Sequence, residues 1–361
     1  MNSNHVAVAM SGGVDSSVAA ALLKDRGFKV TGVMMKIWDG TNKPGRSTRN
    51  SCYSPFEAAN IENTRKVADT LGIPFHVIDV TKEFREKVLN YFTAEYLAGR
   101  TPNPCLMCNR SIKFQALIDK AINAGVEFDY FATGHYSRIE YNEKSGCYLL
   151  KKGKDTVKDQ SYFLALLSQI QLSQTLFPVG EYTKQEVRDL ARKFRLGVDE
   201  KPESQDFIAA GYRSLISGAQ TGLIKNTQGE ILGEHNGIAN YTIGQRKGLG
   251  ISGKNPLYVT DIDPKTNTVT VGSRKDIYSD ELTATDLNWI GIEKPETEME
   301  VKAKIRYTHE EAKATVIPVA DERIKVKFKE PQMAITPSQA VVLYKDDIVL
   351  GGGLIERSGG E

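Results

Sequence analysis

The sequence predicts an α/β protein in which a doubly wound parallel-sheet domain is followed by a small mixed α/β domain and a C-terminal antiparallel β-barrel. Three observations predict it. Strand-like and helix-like segments alternate up to about residue 200, a glycine-punctuated stretch follows, and from about residue 282 apolar and charged residues alternate with period two. At 361 residues the chain is long for one core, and domains at 1–200, 201–280 and 281–361 are expected.

The first domain opens with the apolar run Val6-Ala7-Val8-Ala9-Met10, which breaks into Ser11-Gly12-Gly13 and then into Val14-Asp15-Ser16-Ser17-Val18-Ala19-Ala20. This is a strand, a phosphate-sized turn and a helix start. Two glycines leave their amides open to an anion, and the helix aims the positive end of its dipole at the same point. The loop lacks the Lys-Ser/Thr ending of the usual P-loop, so a kinase-like site would lose its clamp on the terminal phosphates. An ATP site that splits off pyrophosphate fits better. The competing reading is a Rossmann-like turn in which Asp15 or Ser16 merely caps the helix.

Lys29 to Met35 reads as the second strand, and Asp39 to Ser54 as a long polar loop. Phe56 to Leu71 has helical spacing with Gly72 as its stop, and Phe75 to Val80 and Phe128 to Thr133 are further strands, the last ending in Gly134-His135. Open α/β sheets bind ligands at the carboxyl ends of their strands. The opening loop, Met35 and Gly134-His135 therefore form one candidate nucleotide pocket, although core packing would also explain Met35 and a simple turn Gly134.

Beyond residue 200, Gly222, Gly229, Gly233, Gly237, Gly244, Gly248 and Gly250 punctuate short segments, and a hairpin is expected around Asp263 to Asn267. Met299, Val301, Ala303, Ile305 and Tyr307 then alternate with Glu300, Lys302, Lys304 and Arg306, and Ile324, Val326 and Phe328 alternate with Lys325, Lys327 and Lys329. Such patterning closes economically into a small barrel. The alternating lysines read first as a solvated face, and secondly as a track for a nucleic-acid backbone.

A net charge of +2 requires any nucleic-acid partner to be held by local basic patches. No stretch approaches about 18 uninterrupted apolar residues, and Met1-Asn2-Ser3-Asn4-His5 runs into the first strand without a basic, apolar leader, so a cytoplasmic monomer without membrane contact is expected. The four cysteines, Cys52, Cys105, Cys108 and Cys147, are too few to staple a chain of this size. Their value is chemical, except for Cys147 in its expected hairpin.

The segment Arg100-Thr101-Pro102-Asn103-Pro104-Cys105-Leu106-Met107-Cys108-Asn109-Arg110 sets two thiols ahead of the helical pattern Ile112 to Ala121. A helix N-terminus flanked by Arg110 and Lys113 is expected to lower a thiol pKa. Three readings stay open: a zinc site completed through space by Cys52 and a histidine, a thioredoxin-like dithiol, and catalytic sulfur handling beside an ATP-activated carbonyl.

With both constellations in view, the chain resembles the tRNA-specific 2-thiouridylases of the PP-loop (N-type) ATP pyrophosphatase group. The likeness runs nearly end to end. It includes Ser11 to Ser17, Met34 to Trp38, Arg100 to Phe114, Ala132 to Tyr136, Lys158 to Phe163, Leu176 to Glu181, Tyr241 to Gly250 and Gly351 to Gly353. The resemblance implies that ATP, carried with Mg2+, adenylates O2 of a wobble uridine in tRNA and that cysteine-borne sulfur displaces AMP. It implies an ATP pocket of Ala9, Met10, Ser11, Gly12, Gly13, Val14, Asp15, Ser16, Met35 and Gly134. Cys108 matches the nucleophile, with Asp15 in the catalytic loop. Asn103, Pro104 and Cys105 match the segment facing the target base, and His135, Lys158, Asp159, Gln160, Arg306, Tyr307 and Gln339 match positions that touch tRNA. A sulfur-donor protein or sulfide completes the implied partners.

Two departures stand out. Many relatives carry Asp where this chain has Cys105. After Lys201-Pro202-Glu203-Ser204-Gln205-Asp206 the family pattern continues with one residue and then a persulfide cysteine, whereas here Phe207-Ile208-Ala209-Ala210-Gly211 follows. Sulfur transfer must then use Cys105 as partner of Cys108, recruit Cys52, or pass through an iron–sulfur cluster on Cys52, Cys105 and Cys108. Two other functions compete: an ATP-activated transfer on a small substrate, and a paralogue that only binds tRNA or traffics sulfur.

Overall fold

Five parallel strands, in the order Phe75–Asp79, Lys29–Lys36, His5–Ala9, Tyr130–Thr133 and Thr175–Leu176, make the sheet around which the first half of the chain folds. The structure is a computed structural model and describes residues 4–40, 51–201, 206–208, 215–216, 220–252, 255–320 and 322–357. The expected loop Asp39 to Ser54 lies outside these residues from 41 to 50, as do Pro202 to Gln205 and Ala209 to Gly211 of the departing motif. Two compact units result, one of residues 1–88, 105–211 and 346–350, the other of 89–104, 212–345 and 351–361.

In the first unit, helices Val14–Asp25, Glu57–Leu71 and Lys184–Lys193 share one apolar cluster with the sheet, through Val18, Ala19, Leu22, Val67, Ala68, Leu71, Val187 and Ala191. The strand order then reverses between His5–Ala9 and Tyr130–Thr133. A right-handed connection in the reversed direction carries the helical run that begins at Pro104 to the opposite face, where Phe114 packs edge-on against Phe131 at 5.8 Å between ring centroids. That reversal is the switch point at which open α/β sheets leave a crevice.

The helical run differs from expectation. It starts at Pro104, ahead of the thiols, and passes through an α-helix Pro104–Cys108, a π-helical stretch Asn109–Ala116 and an α-helix Leu117–Asn123. Gln171 supports the irregular turn, since its side-chain amide donates to the carbonyls of Arg110 at 3.1 Å and Phe114 at 2.9 Å. Cys147 sits at the turn of the expected hairpin, Ser137–Asn142 against Cys147–Lys152. Ile348 and Val349 extend that hairpin by pairing with Lys151 and Leu150.

In the second unit, a four-stranded sheet runs in the order Ile231–His235, Gly222–Asn226, Thr268–Gly272 and Tyr258–Asp263, the last two forming the expected hairpin. Helix Asn90–Leu97 belongs here and buries Phe92 and Tyr96 beside Ala239. Six antiparallel strands, Tyr278–Trp289, Arg323–Met333, Ala312–Val319, Met299–Lys304, Ala340–Lys345 and Ile348–Ile355, close into a barrel when Gly351 to Ile355 return to the first of them. Val301, Ala303, Ile324, Val326 and Phe328 face inward as their period requires. Outside, Lys325 and Lys329 meet Glu281 and Glu300 at 3.4 and 3.3 Å, the solvated face of the first reading. No described helix is long and apolar enough to cross a membrane.

Candidate active site

The glycine loop leaves the central strand where the sheet reverses. Gly13 holds the N-cap position in extended conformation without a side-chain cap, so the reading of Asp15 or Ser16 as a simple cap does not hold. Ser16 instead closes the loop, its hydroxyl accepting from the Ser11 amide at 3.1 Å. Gly12 is left-handed at φ 71°, and a Cβ there would stand 2.6 Å from the Thr64 hydroxyl. Gly134 packs directly on the helix start: a Cβ would lie 2.6 Å from the Ser16 nitrogen and 2.7 Å from the Asp15 carbonyl carbon. Ala9, Met10, Ser11, Gly12, Gly13, Val14, Asp15, Ser16 and Gly134 thus converge at one sheet edge. Met35 lies at the same edge, one residue from the end of the adjoining strand.

Asp15 is the charged centre of this edge. One carboxylate oxygen accepts from the Tyr136 hydroxyl at 2.7 Å and from Lys184 Nζ at 2.6 Å, and the other accepts from Lys184 at 2.9 Å. The Lys184 side chain is only 13% exposed and its ammonium lies 5.7 Å from the centre of the Tyr136 ring. A capping box between Thr183 and Glu186 fixes the helix turn that carries Lys184. Glu57 performs a similar service beyond Met35, accepting from the Ile37 and Trp38 amides at 2.7 and 3.0 Å. Lys184 and Glu57 are absent from the sequence reading because neither lies in a local motif. The capping pattern Thr183 to Glu186 was the one legible sign.

The thiols behave otherwise than their neighbours in sequence suggest. Cys108 is buried, and burial pushes its thiol up to about 12, against a smaller opposing pull from Lys113. Cys105 meets solvent, yet protein surrounds it closely enough that burial raises it to about 11. The expected lowering therefore fails. Cys108 sits a full turn inside the helical run instead of at its dipole end, and desolvation outweighs one lysine. Cys52 is exposed and close enough for its charge to raise both other thiols. Among the described residues, however, no three His, Cys, Asp or Glu side chains gather as metal ligands.

A labelling experiment follows from these values. A thiol at about 12 has a thiolate fraction of about 10⁻⁵ near pH 7, and the fraction grows about tenfold per pH unit. Alkylation of Cys108 by iodoacetamide in the ligand-free protein is expected to climb in that way from about pH 7 to 10 without levelling, behind Cys105 at every pH. Peptide mass spectrometry reads it. A plateau near pH 8 would mean an activated thiol.

The residues matched to tRNA contacts fall on both units. In the first, His135 is caged by the rings of Phe114 and Phe177, at 6.0 and 5.9 Å, and accepts or donates at 2.7 Å to the Thr133 hydroxyl. Burial, with Lys113 adding to it, lowers its pKa well below the usual imidazole range, so it is neutral. Asp159 turns inward, accepting from the Gly153 and Ser161 amides at 3.0 and 3.1 Å and from the Ser161 hydroxyl at 2.8 Å. Gln160 accepts from the Tyr136 amide at 3.0 Å. These two side chains brace the loop, and Lys158 beside them is half-buried.

In the second unit, Arg306 donates to the carbonyls of Ile243 and Ala334 at 3.2 and 2.8 Å. Tyr307 lies under Lys304, 5.5 Å from its ammonium to the ring centre. Gln339 donates to the Thr101 carbonyl at 2.7 Å, and the Thr101 amide donates to Pro337 at 3.0 Å. The barrel thereby fixes the backbone that leads into Asn103 and Pro104.

Comparison with known proteins agrees with this geometry. Residues 4–209 match the model described as the tRNA methyl transferase HUP domain, 213–273 the tRNA methyl transferase PRC-barrel domain, and 279–355 the aminomethyltransferase beta-barrel domain. Proteins named tRNA-specific 2-thiouridylase are similar throughout. The MnmA 2 of Thermoanaerobacter sp. strain X514 is 49% identical over 98% of both chains, and the MnmA of Caldicellulosiruptor saccharolyticus has the same identity and coverage. That of Acetivibrio thermocellus is 46% identical over 99% of this chain and 100% of its own. The chain therefore belongs to the tRNA-specific 2-thiouridylase family.

Proposed function

We propose that the chain is an ATP-dependent tRNA uridine 2-sulfurtransferase acting on the wobble uridine. The observation that carries this reading is the convergence of the glycine loop, Gly134 and the Asp15–Lys184–Tyr136 group at the sheet's switch point, in a unit that also holds Cys108, in a chain of this family. O2 of the uridine attacks the α-phosphorus of ATP, the bond to the β-phosphate breaks, and pyrophosphate leaves. A urea-like carbonyl is a poor electrophile until its oxygen becomes such a leaving group. Sulfur carried on Cys108 then attacks C2, and AMP departs.

In this reading Ala9 to Ser16, Met35 and Gly134 hold ATP. Asn103, Pro104, Cys105, His135, Lys158, Asp159, Gln160, Arg306, Tyr307 and Gln339 serve tRNA, the last four by shaping the surface as much as by touching it. Asp15 is already paired with Lys184, so Mg2+ fits best as an ion held mainly by the phosphates and water. Among the described residues no three His, Cys, Asp or Glu side chains group as metal ligands, and sulfur is routed through thiols instead of an iron–sulfur cluster on Cys52, Cys105 and Cys108. Cys105 suits the role of partner thiol, because residues three apart in an ideal helix have Cα atoms about 5 Å apart, within reach of a disulfide. Its thiolate attacks the Cys108 sulfur of the adduct, leaves the outer sulfur on C2, and closes a disulfide that a cellular dithiol reduces. The sulfur donor is a protein persulfide, whose outer sulfur passes to the Cys108 thiolate while the donor leaves as a thiol; the setting is the cytoplasm, and the three-part division at 1–200, 201–280 and 281–361 belongs to the same proposal.

Incubating the protein with tRNA, ATP, a persulfide donor and a dithiol reductant, followed by mass spectrometry of the nucleosides, tests the reading. One AMP and one pyrophosphate per 2-thiouridine are expected, with or without air. Pyrophosphate release that does not depend on tRNA would favour transfer to a small substrate. Product formed under anaerobic conditions alone would restore the cluster.

A further inference from the structure

The glycine loop carries no cation of its own, and Lys184 is committed to Asp15. Lys201 is differently placed. Its ammonium donates to the Gly12 carbonyl at 2.9 Å and lies 3.5 Å from the position a Gly12 Cβ would take. The residue is half-buried, and among the described residues its ammonium meets that carbonyl and no carboxylate. Burial lowers its pKa, with no anion opposing the effect. A carbonyl uses one of three ammonium hydrogens and leaves the charge uncompensated, a costly arrangement in a recess unless an anion arrives there during function.

We propose that Lys201 is the cation that receives the β- and γ-phosphates of ATP on the glycine loop and stabilises pyrophosphate as it departs. The inference rests on the reading of this loop as an ATP site. It supplies from residue 201 the charge that a usual P-loop carries within its own motif. As uridine O2 bonds to the α-phosphorus and the bridge to the β-phosphate breaks, the electron pair of that bridge moves onto pyrophosphate. The uridine N3 proton passes to water, so no oxidant or reductant is needed. Lys201 keeps its bond to Gly12, which holds the ammonium at the loop, and offers its two remaining hydrogens to the leaving group.

The test compares nucleotides that differ in their outer phosphates. Lys201→Met is expected to weaken binding of ATP and of inorganic pyrophosphate by about 10²-fold while leaving AMP within about twofold of wild type. Lys201→Arg, which keeps the charge, should recover most of the ATP affinity, and tRNA affinity should not move in either variant. Equal losses for AMP and ATP would assign Lys201 to loop structure, and an unchanged ATP affinity would also overturn the proposal. Should the Met variant not fold, Lys201→Gln against Lys201→Arg reads the same ratio. Failure of the underlying reading looks different, since the wild-type protein would then bind no ATP.

Discussion

Cys108→Ser is expected to reduce 2-thiouridine formation by about 10³-fold or more while tRNA-dependent pyrophosphate release continues. The two half-reactions separate because they use different parts of the first unit. Adenylation needs the glycine loop and its charges, whereas sulfur transfer needs a polarisable nucleophile that a serine hydroxyl cannot replace. Cys108 is buried, and serine differs from it by one atom, so the fold should persist. Cys105→Ser is expected to stall after one adenylation with the tRNA held on Cys108, since the adduct would lack its resolving thiol. Quantifying pyrophosphate and modified nucleoside in the same reaction reads both variants. Full thiolation by Cys108→Ser would move the nucleophile to Cys52 or to an external sulfide.

The raised thiols make this a demanding site. In the ligand-free protein Cys108 is overwhelmingly protonated, so bound sulfur, bound substrate or the charge of Lys113 must supply what its surroundings withhold. Sequence neighbours alone gave the wrong sign. The spacing of Arg110 and Lys113 is visible in one dimension, but desolvation depends on what three dimensions place around a sulfur.

The same distinction separates what was legible from what was not. The strands Lys29–Lys36 and Phe75–Asp79 and the stop at Gly72 were readable because apolar runs and a left-handed glycine are local signals. The barrel was readable because an inward and outward alternation forces a side for every residue. The π-helical turn after Cys108 was not, since Gln171, which satisfies its carbonyls, lies about 60 residues later. Lys184 and Lys201 reach a loop that precedes them by 169 and 189 residues, and no periodicity marks such a meeting. Helix Asn90–Leu97 falls between first-unit segments in sequence, yet its buried rings cluster with the second unit, a placement no local signal marks.

Gly134→Ala is expected to cost about 3 kcal/mol of stability and to raise the KM for ATP by about 10²-fold. The added methyl would stand 2.6 Å from the Ser16 nitrogen, 2.7 Å from the Asp15 carbonyl carbon and 2.9 Å from the Ser16 Cα. All three are backbone atoms, so no side chain can swing aside. Relief requires the first turn of helix Val14–Asp25 to move away from strand Tyr130–Thr133, against the fully buried Val18 and Ala19. The same shift would displace the loop amides and pull Asp15 from Tyr136 and Lys184. Gly27→Ala is the control: its left-handed φ of 86° imposes strain of about 1 kcal/mol, but open space surrounds it and it lies at the far end of the same helix. Urea unfolding with an unchanged m-value and ATP-dependent pyrophosphate release would measure the two effects. A destabilised Gly134→Ala with wild-type KM would detach the strand end from the ATP site. If both effects appear together, the close approach at Gly134 is what sets the loop for phosphate.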